Sequence, residues 1–259
     1  MIKLLDSHFH PQLMSNPEQG IANAVKEGVR YLLAVSVEAE DNVKLASYKE
    51  YCAVHHKEVD FQYSFGIHPC NDNSNYSLHN INLPQPKDIM AIGETGLDAV
   101  RTTCSIVNQD KLLREHIELS IAWQKPLILH IRQAHQDAVR VLKTYSGITG
   151  IVHCFEGNWE EAKKYLDLGL YISFSGLVTY PNNQAIAEVA KLMPTDRILT
   201  ETDSPFLTPY PLKRSSSNYP GNVIKILQCI SQHRNTSDID LSKHVINNYL
   251  TLFKNVKHS

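Results

Sequence analysis

Ile2-Lys3-Leu4-Leu5-Asp6-Ser7-His8-Phe9-His10 begins with an apolar run and ends in two imidazoles two positions apart. Read as a strand, it points His8 and His10 to one side, because side chains on a strand face recur at period two. Two imidazoles converging on one point begin a metal site. His-x-His also occurs on solvated strands, so ligands at matching places downstream must decide between the two readings.

Working outward, this stretch is the first of eight apolar runs of strand length, at residues 3–7, 31–37, 61–66, 89–93, 127–131, 150–153, 170–174 and 197–202. Segments of helical period lie between several of them. Residues 108–123 carry an apolar stripe at Leu112, Leu113, Ile117 and Ile121; residues 158–168 open with Asn158 and Glu161 in capping-box spacing and stop at Gly169. Residues 184–193 place Ile186, Val189, Ala190 and Met193 on one face and halt at Pro194. Strands too apolar for one-sided exposure, separated by helices, indicate a parallel sheet covered by helices. Eight such units in a chain of this length suit a closed (β/α)8 TIM barrel, and no glycine-rich phosphate loop after the first strand supports a dinucleotide fold. With no repeat, low-complexity tract or linker, residues 1–259 are expected to form a single barrel domain.

Composition narrows the function classes. The 259 residues carry a formal net charge of −2, so electrostatic capture of nucleic acid by the whole surface is not expected, although an enzyme can still meet phosphates through metals. Five cysteines without a Cys-x-x-Cys argue against a disulfide framework and for a reduced compartment. A strand begins almost at once, without a signal-like apolar core, and no apolar run reaches membrane-spanning length. A cytoplasmic protein with no membrane association and no obligate protein partner is the expectation.

In a TIM barrel, chemistry sits where strands end at the C-terminal face. The first strand ends in His8 and His10, the third runs into Gly66-Ile67-His68-Pro69, and the fourth ends in Gly93-Glu94-Thr95-Gly96-Leu97-Asp98. The fifth ends in His130 followed by Arg132, the sixth in His153-Cys154-Phe155, and the eighth in Glu201-Thr202-Asp203-Ser204-Pro205. A strand-end His often caps a carbonyl, and a strand-end Asp is often an N-cap. That account does not extend easily to so many residues gathered at one rim.

Those motifs, with Cys154-Phe155-Glu156-Gly157 after His153, resemble the TatD-type metal-dependent deoxyribonucleases of the amidohydrolase superfamily over nearly the whole chain. The resemblance implies a two-metal site. One ion is held by His8, His10 and Asp203, a second by His130 and His153, with Glu94 bridging them in place of the modified lysine of other superfamily branches. The implied cofactors are two divalent ions, zinc first, with magnesium or manganese as alternatives. The implied substrate is DNA, cleaved at its phosphodiester bonds by metal-activated water and from an end.

Asp203 is the candidate proton acceptor, and Glu94 the second catalytic carboxylate; a purely structural ligand is the alternative for Asp203. His68 is expected to face substrate phosphate or simply to shape its turn. Arg132 is expected to contact phosphate or to fix Glu94. Glu201, and by the same logic Asp98, is expected to partner the outer nitrogen of a ligating His. Cys154 reads as a core residue pointing away from the site. The chain departs from the family pattern at Ala99-Val100, at Gln133, and at Pro211-Leu212-Lys213-Arg214-Ser215-Ser216-Ser217-Asn218-Tyr219-Pro220, where Lys213 and Arg214 retain positive charge. A polar loop over residues 71–86 is expected to overhang the mouth. Two other functions remain open: hydrolysis of a lactone, cyclic amide or ester, and metal or nucleic-acid binding without turnover.

Overall fold

Eight strands pair in parallel in chain order in the computed structural model, which describes residues 2–71, 77–101, 104–213, 217–254 and 256. They are β1 (Leu4–Phe9), β2 (Val29–Ala34), β3 (Asp60–Phe65), β4 (Ala91–Asp98), β5 (Leu127–Arg132), β6 (Gly150–His153), β7 (Tyr171–Phe174) and β8 (Ile198–Thr200). The seam between β1 and β8 is closed by backbone bonds from Asp203 N–H to His8 O (2.9 Å) and from His10 N–H to Ser204 O (2.8 Å). The result is a (β/α)8 barrel, and the closing bonds join the segments that carry three of the candidate ligands.

The outer layer comprises α1 (Pro17–Lys26), α2 (Asp41–His55), α3 (Ile106–Trp123), α4 (His135–Leu142), α5 (Trp159–Leu166), α6 (Gln184–Leu192), α7 (Val223–Arg234) and α8 (Asp238–Phe253). Most of them lay an apolar stripe on the sheet, while α6 packs on α5 and α7; α3 buries Leu112, Leu113 and Ile117. Asn158 and Glu161 form the reciprocal capping box at the start of α5. Among the described residues no α-helix joins β3 to β4. There the chain is gripped from outside: Ser77 Oγ and Leu78 N–H both donate to the buried Glu115 carboxylate on α3. Of the loop expected to overhang the mouth, residues 77–86 run toward α3, Asn71 lines the mouth, and residues 72–76 lie outside the described residues. Arg214, Ser215 and Ser216 lie outside them as well.

Strands β1 and β4 run further than their apolar runs suggest, because polar residues continue them, Ser7 and His8 in β1 and Glu94, Thr95 and Asp98 in β4. Both contain a register shift at the functional residue. Between Asp6 and Phe9, β1 advances three positions against two on β2, and between Ile92 and Thr95, β4 advances three against two on β5. Each extra residue is a bulge, which bends a strand and re-aims a side chain. Close backbone approach accompanies the second bulge: a Cβ at Gly66 would stand 2.4 Å from Gly93 Cα, and one at Gly96 1.9 Å from His130 O. Only glycine lets β3, β4 and β5 converge around Glu94. No helix among the described residues is long and apolar enough to cross a membrane.

Candidate metal centre

The bulge in β1 delivers His8, fully buried, and the strand end delivers His10, 3 % exposed, to one point. Their Nε2 atoms lie 3.1 Å apart. Glu94 Oε2 is 2.9 Å from His8 Nε2, and Asp203 Oδ1 is 3.2 Å from His10 Nε2; the two cross distances are both 3.7 Å. Ligands about 2.1 Å from a shared ion stand roughly 3.0–3.4 Å from each other, so this spacing suits one cation. The chemistry agrees. Glu94 Oε2 is buried and, despite its closeness to His8, lies outside hydrogen-bonding geometry, which leaves an anionic oxygen that only a cation satisfies well.

The other oxygen of Glu94 belongs to a second cluster. Oε1 lies 3.2 Å from His130 Nδ1, 3.7 Å from His153 Nε2 and 3.1 Å from His68 Nε2, and the His130 and His153 nitrogens are 3.1 Å apart. Hydrogen bonds at the far side of each ring sort these imidazoles into two kinds. His10 Nδ1 donates to Val35 O (2.8 Å), His130 Nε2 to Asp98 Oδ2 (3.2 Å) and His153 Nδ1 to Glu201 Oε1 (3.3 Å). Each of these rings therefore turns a lone pair inward, as a ligand must. His68 is the reverse: its Nδ1 accepts from Cys70 N–H (3.0 Å), so the nitrogen facing Glu94 carries the proton. His68 is held as an inward donor.

The partners of those rings are themselves fixed. Asp98 accepts from Val100 N–H and Arg101 N–H, both at 2.8 Å, and Glu201 Oε1 accepts from Cys154 N–H at 2.6 Å. Asp6, on β1 just before the bulge, accepts from Thr202 N–H (2.8 Å) and Thr202 Oγ1 (2.6 Å), which aligns the β1 ligands with Asp203 across the seam. Asn218, also fully buried, donates to Thr202 O (3.0 Å) and Phe206 O (2.6 Å) and pins the turn that carries Asp203. No sequence signal marks Asn218, whose partners lie on a separate loop.

Charge follows from this packing. Burial alone would raise the Glu94 pKa, but the charges of His153, His68 and His8 and the His130 hydrogen bond hold it well below the carboxylate range. Asp203 is likewise lowered against its burial, chiefly by His10. Burial opposes charge on His10, yet the Asp203 hydrogen bond and the Glu94 charge lift it to about 9. His130 also reaches about 9 against its burial, through hydrogen bonds to Asp98 and Glu94. The carboxylates carry the charge that a metal ligand needs, and His10 and His130 would have to give up a proton to ligate a cation.

Above the clusters opens a cavity of about 830 Å³, lined by His10, His68, Glu94, His130, His153 and Asp203 and walled by Arg101, Arg132 and Phe206. Arg132 is half-buried and, among the described residues, makes no ion pair with Glu94; every close contact of that carboxylate is an imidazole. Arg132 lines the mouth. Cys154 corrects the sequence reading: it lines the cavity instead of the core, because the chain turns left-handed there (φ 45°) as β6 ends. Burial, with the Asp203 and Glu201 charges, pushes its thiol pKa well up, which works against the thiolate form that a nucleophile needs.

Residues 5–254 match the family described as TatD related DNase. The metal-dependent hydrolase YcfH of Escherichia coli K12, named as uncharacterised, is 32 % identical over 96 % of this chain and 95 % of its own length. A protein of Pantoea ananatis named 3′-5′ ssDNA/RNA exonuclease TatD is 30 % identical over 93 % of this chain and 95 % of its own. The crystal structure of the TatD homologue YjjV from Escherichia coli superposes with a TM-score of 0.85 at 24 % identity, covering 97 % of this chain and 98 % of that one, and shows the same fold.

Proposed function

The chain belongs to the TatD related DNase family and is a metal-dependent hydrolase, and we propose from this that it is a two-metal nuclease that removes nucleotides from the end of a single DNA strand. The observation that carries the reading is the division of Glu94. One of its oxygens faces His8, His10 and Asp203, the other His130 and His153, so a single carboxylate belongs to two ion-sized clusters. In this reading His8, His10, Asp203 and Glu94 hold one divalent ion, and His130, His153 and Glu94 the other. Imidazole-rich donors favour zinc, with manganese or magnesium admitted by the carboxylates. When bound, such ions polarise a phosphoryl oxygen and acidify water near neutral pH.

The side chains divide the remaining work. Asp203, at 14 % exposure against 3 % for Glu94, faces the cavity; its Oδ1 engages His10, and Oδ2 is left to take the proton of the attacking water. The water oxygen bonds to phosphorus, the bond from phosphorus to the 3′-oxygen of the remaining strand breaks, and that oxygen takes a proton from solvent. Arg132 offers the fork that suits a phosphate, while His68 directs its N–H at Glu94 Oε1 (3.1 Å) and so holds that carboxylate's orientation. End-first cleavage follows the 30 % identical relative named as a 3′-5′ exonuclease.

The test uses chelator-stripped protein with zinc, manganese or magnesium added back, assayed on 5′-labelled single-stranded DNA, a generic phosphodiester and a panel of lactones. A ladder of DNA products that requires added metal is expected, and it is lost in Glu94→Gln and Asp203→Asn. Lactone turnover with untouched DNA would replace the nuclease reading with the amidohydrolase one. No hydrolysis above background in any arm would leave only a binding protein.

A further inference from the structure

The two walls of the cavity differ in kind. On the side of β4 and β5 stand Arg101 and Arg132; on the side of β8 and β1 stand Phe206 and Leu13, which are 51 % and 44 % exposed. The metal centre lies between them. Large apolar side chains this exposed beside a polar centre are unusual for a cavity that receives only a phosphate and water.

Phe206 is also held in place. Its N–H closes a turn onto Asp203 O (2.9 Å), its carbonyl accepts from Asn218, and its ring stands at 64° to His10 with centroids 6.2 Å apart. The next residue is packed so closely that a Cβ at Gly176 would lie 1.9 Å from Leu207 O. A half-exposed aromatic ring on a fixed turn, three residues beyond a ligand carboxylate, is a preorganised stacking platform.

We infer that Phe206 is a nucleobase subsite: it stacks the base of the terminal nucleotide while the phosphodiester crosses the metal centre and the following phosphates meet the wall of Arg132 and Arg101. The inference rests on the nucleic-acid reading and deepens it. A strand end fits this division, because it offers one base on one side of the scissile phosphate and a run of anions on the other. A duplex end would first have to unstack its terminal base, so the platform favours single strands.

The test compares two single-stranded oligonucleotides identical except that one lacks the 3′-terminal base, with Kd measured by fluorescence anisotropy on the metal-loaded enzyme and cleavage followed in parallel. Wild type is expected to bind the intact strand about 10-fold more tightly, the scale of one base on one ring. Phe206→Ala and Phe206→Leu bring the ratio near 1, and Phe206→Trp restores it. An unchanged ratio in Phe206→Ala and Phe206→Leu overturns the subsite, as does loss of bound metal together with the ratio in both, since the ring would then only support His10. A Kd ratio of about 10 without cleavage supports the subsite and rejects the nuclease reading. Cleavage by a wild type that does not distinguish the two strands does the opposite.

Discussion

Acidification should destabilise this barrel through a histidine that touches neither cluster. His116 on α3 is fully buried; its Nδ1 donates to Leu112 O (2.8 Å), and its Nε2 accepts the N–H of Ile67 (3.1 Å), the residue just before His68. Burial lowers its pKa from 6.5 to about 4, and a proton on Nε2 would also break the bond from Ile67. The sign is that of a depressed base. Above pH 6.5 the ring is neutral folded and unfolded, and it contributes no pH dependence. As pH falls below 6.5 only the unfolded chain takes up the proton, so stability is lost until the folded pKa is reached and levels off below about 4. With 1.36 kcal/mol per pKa unit, the loss is about 2 kcal/mol at pH 5 and about 3 kcal/mol at pH 4. Urea unfolding of wild type and His116→Gln at pH 7, 6, 5 and 4 isolates the effect, since proton uptake by the metal ligands is common to both proteins. The wild type should lose about 2 kcal/mol more than the variant between pH 7 and pH 5. Parallel pH dependence of the two proteins would show that His116 does not titrate as its surroundings require.

Glu94→Gln removes one charge shared by both clusters, so bound metal measured by mass spectrometry should fall from two ions per chain to one or fewer, with turnover down at least about 100-fold. Retention of both ions would reject the bridging role. Asp98→Asn should weaken the ion on the His130 side about 10- to 100-fold in a chelator competition while sparing the other; equal weakening of both would show that Asp98 supports the fold generally. Arg132→Ala should raise the KM for single-stranded DNA and flatten its salt dependence by roughly one phosphate contact. An unaltered salt slope would remove Arg132 from the substrate path.

What could be read in advance has a physical basis. Parallel strands all deliver their C-terminal residues to one rim, so apolar runs ending in His8, His130, His153 and the Glu201-Thr202-Asp203 segment announce both the barrel and the residues that meet there. Local polarity also marked Glu94, though the apolar reading stopped β4 five residues short of its end at Asp98. The bulges at His8 and Glu94 could not be read, because a bulge exists only relative to the neighbouring strand. The thiol of Cys154 was misplaced for a related reason: strand alternation fails at a residue with φ 45°. The inward proton on His68 depends on the Cys70 amide, a turn geometry that residue types alone do not specify. The clamp of Asn218 on Thr202 and Phe206 joins segments brought together only by the final fold.

The closed seam between β1 and β8 orders the events of biosynthesis. Its contacts, such as Thr202 N–H to Asp6, join residues 196 positions apart, among the longest loop closures the chain can make. A nascent chain has Glu94, His130 and His153 outside the ribosome about fifty residues before Asp203 emerges. The half of the centre around His130 can thus assemble during translation, whereas the half around His8 and His10 waits for the barrel to shut. Ion capture there would act as a latch on the last strand.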